Sequence, residues 1–178
     1  MKKSILLPVV SLLVAALILF GLSLGLNGIA ASNAQIAHLN LMRTLLPNSK
    51  NFTLETYTGD DANIRSVHKA DNGFVVETVV SGYADDIRMM VGVSNEGTVT
   101  GLVVMEMTET FGLGAEALTD HVFLAQLLNT SGEAEVGTNV DAITGATVTS
   151  KAVVRSVNSA VAFVTGADTE SGATSWGG

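Results

Sequence analysis

Cysteine is absent from all 178 residues. That excludes disulfides, iron–sulfur clusters, thiolate metal sites and thioether-linked haem, so any redox group must be held by other chemistry. Basic residues are scarce: nine Lys and Arg stand against 17 Asp and Glu, and two of the nine, Lys2 and Lys3, sit at the very N-terminus. This balance argues against nucleic acid as a partner, because phosphate backbones are gripped by clustered Lys and Arg. The acidity itself reads as simple solubility. The three histidines, His38, His68 and His121, are far apart in sequence and read as isolated surface or helix-face residues, with no metal site expected. No nucleophile–base constellation stands out, so no catalytic residue is assigned.

Charged side chains are missing altogether from Ser4 to Ala37, and Ile5 to Leu26 is dominated by Leu, Val, Ile and Ala. A hydrocarbon core is crossed by about 20 apolar residues in a helix, and this run is long enough. Its competitor is a secretory signal peptide, with Ala30-Ala31-Ser32 as small residues for cleavage. The run exceeds the roughly 7 to 15 residues of an ordinary signal core, which favours an uncleaved anchor over residues 1–32. Pro8 falls in the first turns of that helix, where a missing backbone donor does little harm. Lys2 and Lys3 would be held on the cytoplasmic side, so everything after the span is expected outside the cytoplasm.

Residues 33–165 are expected to form one α+β domain, an antiparallel sheet with packed helices. Asn33 to Leu46 reads as a helix closed by Pro47, and Asn51 to Asp61 as an extended or irregular connection. Strands are expected over Gly73 to Tyr83, Ile87 to Ser94 and Thr98 to Met107, the last two joined as a hairpin at Asn95-Glu96-Gly97. Ala115 to Asn129 reads as an amphipathic helix through Leu118, Val122, Leu124, Ala125 and Leu128. A second helix is expected from Thr149 to Thr165, with Val153, Val157, Ala160, Val161 and Val164 on one face. Helices on one side of such a sheet give the α+β class. Residues 166–178 are expected to form a loosely ordered tail.

The most informative segment runs from Asp141 to Ser150 and leads into the last helix. Its small residues let the backbone approach a bulky ligand, and Thr149 or Ser150 can cap the helix. A helix N-terminus offers unpaired N–H groups and the positive end of the dipole, so it suits a phosphate, although most such loops are only caps. Asp141 reads equally as orienting a neighbour, positioning a cation or satisfying loop amides.

The spacing Asp141-x-x-Thr144-Gly145-Ala146-Thr147-x-Thr149 resembles the flavinylation motif of the FMN-binding domain family, to which the G subunits of Rnf electron-transport complexes and the C subunits of sodium-pumping quinone reductases belong. The resemblance implies a flavoprotein with FMN bound covalently as a phosphoester of Thr147, placed there by a flavin transferase that uses FAD and magnesium. A second segment, Glu109-Thr110-Phe111-Gly112-Leu113-Gly114, is similar to the family's Glu-Thr-Pro-Gly-Leu-Gly signature beside the flavin. Here Phe111 replaces the Pro, and Met107 stands where many relatives have His. By resemblance, the cofactor-binding set is Thr147, Asp141, Thr144, Gly145 and Ala146, with Glu109, Thr110, Gly112, Leu113 and Gly114.

The resemblance further implies electron transport within an Rnf-type, ion-translocating ferredoxin:NAD oxidoreductase complex of the inner (cytoplasmic) membrane. The chain would then be a single-pass carrier on the extracytoplasmic side, partnered by other membrane subunits, and not an enzyme by itself. A standalone extracytoplasmic FMN carrier or redox-sensing domain is the alternative, and a non-redox module binding through its acidic surface is a third. The tail carries a partial second copy, Asp168-Thr169-Glu170-Ser171-Gly172-Ala173-Thr174. Trp176 stands there in place of a small hydroxyl residue and Glu170 in place of Ile143, so Thr147 is the favoured acceptor, with modification of both left open.

Overall fold

Valine, isoleucine and methionine recur through residues 64–104 at spacings that only a sheet covered on both faces can bury. The computed structural model describes residues 3–107 and 114–167, apart from the side chains of 3–9, 22–31, 116 and 117. Helix α1 runs from Lys3 to Leu45. The chain divides into two compact units within it, the first ending at Leu41 and the second beginning at Met42. In the first unit, helix α1 exposes Leu12, Leu13, Val14, Leu17, Ile18, Leu19 and Phe20. Among the described residues, no helix is long and apolar enough to cross a membrane.

The second unit is α+β. Strands β1 (Thr53–Glu55), β2 (Ile64–Ala70), β3 (Gly73–Ser81), β4 (Asp86–Ser94) and β5 (Val99–Glu106) form one sheet in the order β1-β2-β3-β4-β5. Every neighbouring pair is antiparallel. Three of these strands lie where expected, and the β4–β5 hairpin turns at Asn95-Glu96-Gly97, with Gly97 at φ 82°. Strands β1 and β2 were not anticipated. In β2 the buried residues are Ile64, Val67 and Ala70, three apart because the register shifts between Ile64 and Ser66. A bulge of this kind erases the alternation by which a strand is read.

Helix α4 (Thr147–Thr165) lies on one face of the sheet. Ile87, Met89, Val91 and Val93 of β4 alternate toward it and join Val153, Val157, Ala160 and Val161 in the core. The helix buries small residues there, Ala152, Ser156, Ser159 and Ala160 among them. Small side chains let a helix approach a sheet closely. A buried hydrogen bond between the hydroxyls of Thr78 and Ser156 ties β3 to α4. The other face carries the row Val75, Gly92 and Gly101, paired across three strands. Over it sits the last turn of α1: a Cβ on Gly92 would run into the backbone carbonyl of Leu45, and Thr100 Oγ1 donates to that same carbonyl at 2.6 Å. Glycine is therefore required at 92 by close approach.

The helix expected over Ala115 to Asn129 is instead two short ones, α2 (Gly114–Thr119) and α3 (His121–Ala125), followed by turns. Asp120 breaks it. Its backbone is extended, and its Oδ1 accepts from Val122 N at 2.7 Å and Phe123 N at 3.0 Å, which caps α3. The buried residues become Leu118, Phe123 and Leu127, while Val122, expected on the buried face, is 78% exposed. Helix α4 ends at Gly166, whose φ of 70° and N–H bond to Ala162 O form a left-handed cap.

Candidate functional site

The acceptor segment departs from expectation at the helix boundary. Helix α4 starts at Thr147 itself and Ala146 is its N-cap residue, so neither Thr149 nor Ser150 is the cap. Both lie buried in the first turn. Ser150 N makes the first helical bond to Ala146 O at 2.9 Å, and its hydroxyl turns backward to accept from Ile143 N at 3.2 Å. That backward bond holds the preceding loop against the helix.

The loop turns tightly just before Thr147. Ala146 N bonds to Ile143 O at 2.9 Å, with Gly145 at φ 82° in the third position of the turn. A positive φ there is the type II signature, which glycine adopts without the steric penalty of a side chain. Ala146 is buried, whereas Asp141, Thr144, Gly145 and Thr147 are all exposed. The fold thus presents these residues outward together, around an exposed hydroxyl on the first residue of a 19-residue helix.

Ala146, the N-cap residue, makes no side-chain capping bond. The positive end of the helix dipole lies at Thr147, and it stabilises negative charge by about 0.3–1 kcal/mol at an exposed site. A phosphoester on Thr147 Oγ1 fits this position chemically: its negative charge would lie at the positive end of the helix, and nothing in the described loop covers the hydroxyl.

Asp141 is held by its backbone. Its N–H donates to Gln126 Oε1 at 2.8 Å, and its C=O accepts from Gln126 Nε2 at 3.3 Å. Of the loop amides, Ile143 N is satisfied by Ser150 and Ala146 N by Ile143 O, not by the Asp141 carboxylate. Gln126 is a positioning residue that sequence reasoning missed, since it lies 15 residues from its partner. Upstream, Asn139 closes the preceding loop on itself, accepting from Glu135 N at 2.7 Å and donating to Glu133 O at 2.7 Å. Gln126→Ala is expected to accelerate amide exchange at Asp141 several-fold, because a net bond is worth about 0.5–1.5 kcal/mol. Exchange measured by NMR checks this; unchanged protection at Asp141 counts against the clamp.

Of the second motif, Gly114 is the buried first residue of α2, which packs against α4. Glu109, Thr110, Phe111, Gly112 and Leu113 lie outside the described residues, as does the tail from Asp168 onward. Met107, just past the end of β5, is partly exposed. Among the described residues, no group of three His, Asp or Glu side chains is placed to hold a metal ion.

Comparison with known proteins bears directly on this site. Residues 82–162, from the turn before β4 almost to the end of α4, match the model of the FMN-binding domain. The G subunit of an ion-translocating oxidoreductase complex from Methanosarcina acetivorans is 36% identical over 139 residues, covering 69% of this chain and 72% of that protein. The chain belongs to the FMN-binding domain family. Within the family, the G subunit of the Na+-translocating ferredoxin:NAD+ oxidoreductase complex of Acetobacterium woodii is 37% identical over 98 residues, 50% of this chain and 47% of that one. The chain spans about half the length of this relative. Among solved structures, the C subunit of the Na+-translocating NADH-quinone reductase of Parabacteroides distasonis is 21% identical, with a TM-score of 0.44, over 64% of this chain and 74% of that one. The FMN-binding domain match contains the whole acceptor segment, from Asp141 to Ser150.

Proposed function

We propose that this FMN-binding domain carries FMN as a phosphoester of Thr147 and serves as an electron-carrying subunit of an Rnf-type, ion-translocating ferredoxin:NAD oxidoreductase complex. The observation that carries the reading is an exposed hydroxyl on the first residue of a helix whose N-cap residue, Ala146, makes no side-chain capping bond, inside a segment with the family's acceptor spacing. Bound flavin supplies the electron-transfer chemistry. The protein's share is to position and restrain the group. Thr147 provides the oxygen nucleophile, Gly145 makes the turn that leaves it accessible, and the positive end of the α4 dipole favours the ester's negative charge. Asp141, steadied by Gln126, is available to orient the hydroxyl or hold magnesium during transfer by a flavin transferase.

Expression of the whole chain with a flavin transferase tests the attachment. The tryptic peptide that ends at Lys151 should gain the mass of FMN less one water, and its fluorescence should survive denaturing electrophoresis. A flavin that dissociates on denaturation, or never binds, overturns the reading. The loaded protein should also show no turnover of NADH by itself; rapid hydride transfer would mark it as an enzyme and not a carrier.

The membrane assignment rests on the charge-free stretch from Ser4 to Ala37 and on apolar residues exposed on every side of α1 between Leu12 and Phe20. A helix apolar all round belongs in a protein core or a bilayer. In this reading it is a single-pass anchor with its flavin domain outside the cytoplasm and other membrane subunits as partners. A periplasm-dependent reporter fused after Ser49 should be active. Activity of a cytoplasm-dependent reporter at that point instead would reverse the topology.

A further inference from the structure

Charge in helix α4 runs against the usual helical order. Acidic residues are favoured at a helix start and basic ones at its end, where each complements the dipole. Helix α4 has no acidic residue in its first turn and no basic residue in its last. Its only charged side chains are Lys151 and Arg155, both in its first half and both exposed. Among the described residues, neither pairs with a carboxylate, whereas Lys69 pairs with Glu55, and Arg88 with Glu77 and Glu106. The chain holds 17 acidic residues against nine basic ones, so carboxylates are in surplus. Two cations left without one on a single helix face point to a different counter-ion.

Spacing identifies where that anion would sit. Lys151 is at i+4 from Thr147 and Arg155 at i+8. On a helix, side chains at i and i+4 stack on one face with Cβ atoms about 5–6 Å apart. The side chain of the later residue leans toward the N-terminus, over the preceding turn. The Lys151 ammonium can therefore reach the space beside the exposed Thr147 hydroxyl, while Arg155 starts a further turn along the axis.

We infer that Lys151 is a positioning residue for the flavin: its ammonium pairs with the phosphodiester anion of FMN on Thr147, an inference that rests on the reading of Thr147 as the acceptor. A phosphodiester keeps a negative charge at neutral pH, and a lysine ammonium offers it a compact charge with three donors. Charge-assisted bonds of this kind are about twice as strong as neutral ones. The ester alone fixes the cofactor at a single atom and leaves the ribityl chain to swing. Holding the phosphate oxygens as well narrows the directions in which the isoalloxazine can point, so Lys151 limits how the ring is presented for electron transfer.

The test uses the full chain expressed beside a flavin transferase, with the parent's flavin first located on the peptide ending at Lys151. In Lys151→Gln that peptide runs on to Arg155. The phosphorus NMR resonance of the diester should shift in Lys151→Gln and stay near the parent's in Lys151→Arg, which keeps the charge. By time-resolved fluorescence anisotropy, the fast-rotating fraction of the flavin should rise about two- to five-fold in Lys151→Gln, the scale of an exposed ion pair. Arg155→Gln removes an equal charge one turn further away and should leave both signals at the parent's values. Salt at about 1 M, where the screening length is about 3 Å, should bring the parent toward Lys151→Gln and leave that variant unmoved. A loaded Lys151→Gln that matches the parent in both signals overturns the pairing and leaves Thr147 standing. Equal changes in Lys151→Gln and Arg155→Gln overturn it too, because net surface charge then explains them. If Lys151→Gln takes up no flavin, the salt series on the loaded parent decides: rotation freed by salt supports the pairing, and rotation indifferent to salt overturns it. A parent with no flavin on Thr147 overturns both readings.

Discussion

Thr147→Ala is expected to remove all flavin from the peptide ending at Lys151, an all-or-none loss, while leaving the stability of the domain within about 0.5 kcal/mol of the parent. The two halves of this expectation have separate physical grounds. Loss is complete because the phosphoester requires an oxygen nucleophile, and alanine offers none. Stability is spared because Thr147 is exposed, its side chain does not cap α4, and alanine is the better helix former at an exposed helical position. Thr147→Ser keeps the hydroxyl and should keep label. Gly145→Val is the informative companion: it leaves Thr147 in place but puts a β-branched side chain at a φ of 82°, which costs of order 1–2 kcal/mol or more. It should lower labelling without abolishing the nucleophile. Equal labelling of the parent and Thr147→Ala on that peptide would remove Thr147 from the mechanism.

The α+β class and the hairpin at Asn95-Glu96-Gly97 were legible because β3, β4 and β5 carry long β-branched runs and a glycine turn. Helix α4 was legible for the same kind of reason, since Val153, Val157, Ala160 and Val161 recur at helical spacing and are all buried. Strand β2 was not, because its bulge moves Val67 out of alternation with Ile64, and Arg65, His68 and Lys69 dilute the pattern. Strand β1 is three residues long and pairs only with β2, so its existence depends on a neighbour the sequence hides. Asp120 was an overlooked signal: a short acidic side chain ahead of His121 and Val122 caps a new helix as readily as it sits within an old one.

At the site, residue identities were readable and their geometry was not. Spacing alone pointed to Thr147, but the helix boundary fell two residues earlier than expected, because Ser150 uses its hydroxyl on Ile143 N and leaves Ala146 to begin the helix. Nothing local distinguishes a side chain that bonds backward across a loop from one that caps forward. The Gln126 clamp on Asp141 joins a turn after α3 to the acceptor loop. Contacts of that kind exist only once both segments are packed on the same core.

Phe123→Ala is expected to destabilise the domain by about 3–5 kcal/mol, the usual range for removing a buried aromatic ring. Phe123 is 1% exposed, and its neighbours in the core cluster include Leu118 and Leu127 from the same stretch of chain. Against a total of about 5–15 kcal/mol for a typical domain, such a loss is severe. The thermal midpoint should fall by roughly 6–20 °C, at about 2–4 °C per kcal/mol for a chain of this size. Val122→Ala, one residue away and 78% exposed, should change stability by no more than about 0.5 kcal/mol. The contrast tests the break at Asp120 directly, since a continuous helix over Ala115 to Asn129 would have buried Val122. Urea melts of both variants decide between these geometries, and equal destabilisation would sink the split. Because α3 leads into Gln126, Phe123→Ala should also loosen the Asp141 clamp and lower flavin attachment to an intact Thr147. That secondary loss should shrink on cooling from near the midpoint toward about 10–20 °C, where domain stability is usually greatest, whereas the loss in Thr147→Ala should persist at every temperature.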